Sequence, residues 1–155
     1  MSNDSDEWAS KFVGKLTEKQ KDAADENALL RQKQAMIRGE APYLWDKLRS
    51  AINERAGSVN ALAKGEYFKA SAAVQGYTEH TLESPAGHLS LFFQHEVPII
   101  KYRFTKAFTD ARATPKPVNG DVRFQVFDEK VWFLNSGEER MDVSQTAEYF
   151  LEMHS

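Results

Sequence analysis

The sequence predicts an α+β fold: an antiparallel sheet of about five strands, with N-terminal helices and a C-terminal helix packed on one face. Three observations carry that expectation. Helix-period apolar patterns occupy the chain up to Gly57. From about Tyr67 to Leu134 apolar and polar residues alternate with period two, in runs joined by hairpin-length turns. A capping box then introduces a last helical pattern. Strands grouped together and bracketed by helices, without β–α alternation, place helices on one face of an antiparallel sheet. At 155 residues the chain fits one domain with an ordinary core. The pattern divides it into an N-terminal helical arm, 1–39, and a single α+β domain, 40–155.

The spacing predicts a helix over 5–38. Ser5 or Asp4 can cap it, Asp6 and Glu7 suit its positive end, and no proline intervenes before Pro42. One stripe recurs every seven residues: Ala9, Leu16, Ala23, Leu30 and Ile37. Taken with Phe12, Lys19, Glu26 and Lys33 as companions, three of which are charged, it does not make a strict two-stranded coiled coil. Thr17 to Ala28 is polar almost all round, so the expectation is a helix anchored at its ends or an arm that orders on contact. Gly39 reads as a stop and Pro42 as the first-turn residue of a second helix. Leu44, Leu48 and Ile52, widened by Trp45 and Ala51, give that helix its apolar face up to Gly57.

Residues 66–75 fit either a strand (Phe68, Ala70, Ala72, Val74) or a short helix before Gly76, and strand is the reading taken. Thr78, His80 and Leu82 alternate as the next strand. Ser84-Pro85-Ala86-Gly87 turns the chain into Leu89, Leu91 and Phe93. The apolar phase then moves from odd positions (Val97, Ile99) to even ones (Ile100, Tyr102, Phe104). A regular strand forbids that, so Pro98 marks a bulge, corner or turn. Ala113 to Gly120 reads as a surface loop. Val122, Phe124 and Val126 form a strand, Asp128-Glu129-Lys130 a tight connection, and Val131 to Leu134 the last strand. Asp142 with Gln145 caps a final helix that turns Val143, Ala147, Phe150 and Leu151 inward.

Composition narrows the function. There is no cysteine, which excludes thiol catalysis, disulfides and Cys-ligated metals. A net charge of −3 gives no global pull towards nucleic acid or anionic membrane. The start of the chain, Ser2-Asn3-Asp4-Ser5-Asp6-Glu7, lacks the basic and apolar regions of a secretory signal. No stretch approaches the ~18 apolar residues of a membrane span. The expected compartment is the cytoplasm.

Candidate chemistry is sparse. His80, His88 and His95 lie near Glu79, Glu83 and Glu96, but strand parity scatters them over both faces, so no metal site is expected. Glu83 is placed to face His88 across the hairpin. Ser71 and Ser84 sit in no nucleophile motif, Glu138-Glu139 reads as a solvated pair, and no phosphate-binding or dinucleotide glycine pattern occurs. No catalytic residue and no cofactor is assigned. Lys101, Arg103, Lys106, Arg112 and Lys116 form a basic stretch with Asp110 as its one acid. Parity puts Tyr102 and Phe104 on the face opposite Lys101 and Arg103, so a nucleic-acid partner is not expected.

The remaining candidates are Trp8, Phe12 and Leu16, one row at i, i+4 and i+8 at the far end of the polar arm, where large apolar side chains need a partner surface. The expectation is a non-catalytic binding or protein-interaction module, self-association included. The alternative is an enzyme or small-molecule binder with a pocket between sheet and helices. The order of helix, three strands, a connection, two strands and a helix also looks like that of small acidic secretion chaperones, dimers that wrap an effector segment. That likeness is one of topology and rests on no motif.

Overall fold

The structure, a computed structural model, describes residues 3–107 and 116–155. The chain forms two compact units, Met1–Ala35 and Met36–Ser155. From Asn3 onward the first unit is helix, and every side chain from Asp4 to Ala35 is exposed. Asp4 and Asp6 occupy the first turn, where the helix dipole favours acids.

The element order is α1 (Asn3–Ala63), β1 (Lys69–Ala70), β2 (Glu79–Ser84), β3 (Gly87–Gln94), β4 (Ile99–Lys106), β5 (Val118–Phe127), β6 (Lys130–Leu134), β7 (Arg140–Met141) and α2 (Val143–Glu152). The expected α+β class with an antiparallel sheet is what the chain adopts, with seven strands in place of about five. The five long strands are those expected from alternation, β1 is the two-residue part of 66–75 that pairs as the strand reading required, and β7 is a two-residue addition at the other edge. Strand order follows chain order, β1 to β7, and every neighbouring pair is antiparallel.

The expected break between two N-terminal helices does not occur. Gly39 and Pro42 lie inside α1, and Gly57 does not end it. A proline inside a helix costs about 3 kcal/mol through its missing N–H and its clash with the preceding turn. Ile37, Ala41, Trp45, Leu48, Ile52 and Ala56 form one stripe that passes through the proline. Ile37 is half-buried and the other five are buried. Each large side chain so buried contributes roughly 1.5–3 kcal/mol, which outweighs the proline. The helix ends where Lys64 takes a left-handed φ of 53°. The Gly65 N–H donates to the Asn60 carbonyl (3.2 Å) and the Lys64 N–H to that of Ala61 (3.4 Å), the two bonds of a Schellman stop.

The apolar phase change at Pro98 is a turn. Gln94 pairs with Ile99, leaving 95–98 as the loop, and Ile100, Tyr102 and Phe104 return to the buried face. Ser84 pairs with Gly87 around Pro85-Ala86. Asp128 and Glu129 both take positive φ, 51° and 60°, in the two-residue β5–β6 turn, matching the twist of the flanking strands. Part of the expected 113–120 loop is strand: Val118–Gly120 pair with β4, whereas 113–115 lie outside the described residues.

In unit 2, α1 from Ala41 onward and α2 bury Trp45, Leu48, Ile52, Ala147 and Phe150 with the inward sheet residues Leu82, Leu89, Leu91, Phe93, Ile100 and Phe133. Trp45 stacks on Phe93 with ring centroids 5.6 Å apart. Gly120 is needed here because a Cβ at that position would collide with the Tyr102 ring, which lies against it. The expected capping box is present: Asp142 Oδ1 accepts from Gln145 N (2.7 Å), and Gln145 Oε1 from Asp142 N (2.9 Å).

Candidate functional site

The three residues singled out on the arm share an exposed face. Trp8 is 65% exposed, Phe12 48% and Leu16 45%. The i, i+4 spacing brings the rings of Trp8 and Phe12 into a stack, centroids 5.3 Å apart and planes within 13°. Val13, Leu29 and Leu30 are also exposed, so apolar surface continues along unit 1.

The histidines divide. His88 Nδ1 lies 3.0 Å from Glu83 Oε1, the cross-strand pair that the hairpin register sets. His95 packs against the edge of Phe93. His80 points the other way, into unit 2, where it is buried with Asn53 and Ser71. Among the described residues no three His, Asp or Glu side chains gather as a metal site would require.

The His80 partners form a directed chain. The Thr81 N–H donates to Ser71 Oγ (3.0 Å), and the Ser71 hydroxyl lies 3.1 Å from His80 Nδ1. His80 Nε2 lies 2.8 Å from Asn53 Oδ1, and Asn53 Nδ2 donates to the Ser71 carbonyl (2.9 Å). With the amide oriented by its own donor, the imidazole carries its proton on Nε2 and accepts from Ser71 on Nδ1. Burial, with a smaller contribution from the Arg49 charge, lowers the His80 pKa to about 4. A serine hydroxyl beside a histidine nitrogen has the outline of a nucleophile and its base. This base is too weak near neutrality to take the proton, and the hydroxyl is already held by backbone. The chemistry the arrangement performs is a lock.

That lock is one of several along α1. Trp45 Nε1 donates to the Tyr77 carbonyl (2.7 Å) and Arg49 to that of Val74 (2.7 Å). Asn60 exchanges two bonds with the backbone of Phe68, 2.9 and 2.7 Å. Arg49, 1% exposed, is also paired with Asp46. Residues 66–75 are therefore not the strand expected. Only Lys69–Ala70 pair with β2 as strand, Ser71 adds a backbone bond to the Thr81 carbonyl (3.0 Å), and the rest is a strap held by helix side chains. The sequence signal for it was the i, i+4 row Trp45, Arg49, Asn53 beside the apolar stripe. His154, buried and 2.7 Å from Ser84 Oγ, was not singled out, because nothing local distinguishes a histidine next to the last residue.

The basic stretch is split as parity requires. Tyr102 and Phe104 are buried, while Lys101 and Arg103 face solvent. The solvent face holds a recess of about 540 Å³ lined by Thr81, Ser90, Phe92, Lys101 and Arg103, with Glu79 and Asp121 in the same cross-strand row as Lys101. Asp110 and Arg112 lie outside the described residues. A second recess of about 540 Å³ flanks α1 at Tyr43, Asp46, Lys47, Arg49 and Glu54, reaching Gln75 and Val143. Among the described residues no helix is long and apolar enough to cross a membrane.

Comparison with protein-family models, with curated proteins and with solved structures found no match to the chain. The topological likeness to secretion chaperones therefore gains no support.

Proposed function

We propose that the protein is a non-catalytic interaction module whose helical arm is its association surface. The observation that carries this reading is the stacked, exposed Trp8–Phe12 pair, continued by Leu16. Two aromatic rings and a leucine left in water forgo several kcal/mol of burial, at roughly 25 cal/mol per Å², and a partner surface recovers it. In unit 2 the buried polar side chains His80, Asn53 and Arg49 are engaged in holding its own strap, whereas every side chain of the arm from Asp4 to Ala35 is exposed. The test is the mass of the full chain by light scattering, beside that of Trp8→Ala/Phe12→Ala. The expected result is a self-associated wild type whose association the double substitution weakens, with an unchanged thermal melt at low protein concentration, where neither protein is associated. Equal masses for the two proteins would sink the reading.

The second reading, a small-molecule binder, has in its favour the recess beside Arg49 and Gln75, which is lined by α1, the strap and the start of α2 and not by the sheet. Native mass spectrometry separates the two: a small molecule retained stoichiometrically by the purified protein supports the pocket.

A further inference from the structure

The stripe Ala9, Leu16, Ala23, Leu30 has a second set of companions, one turn further on. Interleaved with Val13, Gln20, Asn27 and Gln34 it becomes Ala9, Val13, Leu16, Gln20, Ala23, Asn27, Leu30, Gln34, an alternating spacing of four and three that never meets a charge. More than half of the other positions from 10 to 33 are charged. In heptad terms Val13, Gln20, Asn27 and Gln34 fall at a, and Ala9, Leu16, Ala23 and Leu30 at d. Phe12, Lys19, Glu26 and Lys33, the companions whose three charges argue against a coiled coil, then sit at the flanking g positions.

We propose that this seam is an interface with a second copy of the chain, forming a parallel, in-register two-stranded coiled coil over residues 9–34. The proposal rests on the reading of the arm as an association surface and names its occupant; Leu16 lies in the seam and Phe12 flanks it, whereas Trp8 falls at c, outside it. All of these side chains are exposed, and the seam spans about four heptads with apolar residues at every d position and amides at three of its four a positions.

The symmetry follows from the amides. In a parallel, in-register pair Gln20, Asn27 and Gln34 each meet their own counterpart, and an amide carries both the donor and the acceptor that another amide needs. A different partner would have to supply three matching polar layers. The antiparallel arrangement sets Asn27 against a leucine and leaves it unsatisfied. Charges at the flanks decide less. In the parallel pair Glu26 lies beside the partner's Arg31, an attraction made twice by symmetry, and Lys33 lies beside the partner's Arg38, a repulsion. The antiparallel pair gains Lys19 with Glu26. An unsatisfied buried amide costs several times what an exposed ion pair returns, so the amides set the orientation. Three polar layers and two alanines also make the seam weak, so association depends on protein concentration.

Cysteine cross-linking tests the proposal on the full chain, which has no thiol of its own. Ala9→Cys places a thiol at the seam. Lys11→Cys places one on the outermost face of the same helix. Under mild oxidation Ala9→Cys should form a covalent dimer at least about tenfold faster than Lys11→Cys, because a fixed contact has a far higher effective concentration than chance collision. Equal rates overturn the proposal. So does preferential linkage in a mixture of Ala9→Cys with Gln34→Cys, which reports the antiparallel pair. A wild type that associates through Trp8 and Phe12 without linking at position 9 refutes the parallel seam and spares the association surface. A monomeric wild type refutes both.

Discussion

Histidine ordinarily titrates near 6.5, and a side chain held neutral in the folded state couples folding to acid. Burial lowers both His80 and His154 to about 4, with Arg49 adding to the first and His88 to the second. His80 has a hydrogen-bond partner on each nitrogen, whereas His154 Nε2 is buried without one. In both cases the folded pKa lies below the unfolded one. The unfolded chain therefore takes up protons first as the pH falls. The stability due to these groups is complete above about 6.5 and is lost between there and about 4. A move of that size corresponds to roughly 3 kcal/mol per histidine. Urea midpoints should hold steady from pH 8 to 7 and fall steeply between 6.5 and 4.5. His154→Phe, which keeps an aromatic ring among Phe68 and Phe104, should flatten that fall by about half. An unchanged slope in His154→Phe combined with His80→Asn would assign the acid sensitivity to other groups.

At the scale of elements, α1 is where local and tertiary signals conflict. Gly39 and Pro42 carry the punctuation of a helix end and a helix start, yet the helix runs from Asn3 to Ala63. Local residue types state what a segment prefers on its own. The stripe from Ile37 to Ala56 states what the sheet rewards, and the sheet prevails. The two accounts make opposite predictions for Pro42→Ala. A proline in the first turn is favourable there, so its loss would leave stability unchanged or slightly reduced. A proline inside the helix is a burden of up to ~3 kcal/mol, so its removal should raise the melting temperature by several degrees. We expect the rise, and a melt that is unchanged or lowered would restore the break. The strands were legible because period two has one meaning wherever a face is buried: the five alternating runs became β2 to β6. The strap was not legible, because its Phe68, Ala70, Ala72 and Val74 alternate as a strand would, while its order comes from Trp45, Arg49, Asn53 and Asn60 on α1. The exposed row Trp8, Phe12, Leu16 was readable from spacing alone, whereas the His80 chain joins residues far apart in sequence.

For the whole molecule, the question is how much of the chain the core requires. The buried set begins at Ala41, with Ile37 packed beside it, and runs to Phe150. No residue from Asp4 to Ala35 contributes a buried side chain. A chain beginning at Met36 keeps the entire apolar stripe of α1, the strap that Trp45, Arg49, Asn53 and Asn60 hold, all seven strands and α2. It loses only helix that is exposed on every side, and isolated helix of that kind adds little stability in water. We therefore expect residues 36–155 to unfold cooperatively in urea, with a midpoint close to that of the full chain at low protein concentration. Association should be lost with the arm, so the shortened protein should run as a monomer at concentrations where the full chain does not. The midpoint of the full chain should rise with protein concentration and that of the shortened chain should not, because only association couples stability to concentration. A shortened protein that aggregates or melts without a cooperative transition would make the arm part of the folding unit. One that folds and still associates would move the interface into residues 36–155, where the Phe92 recess on the solvent face of the sheet is the first place to mutate.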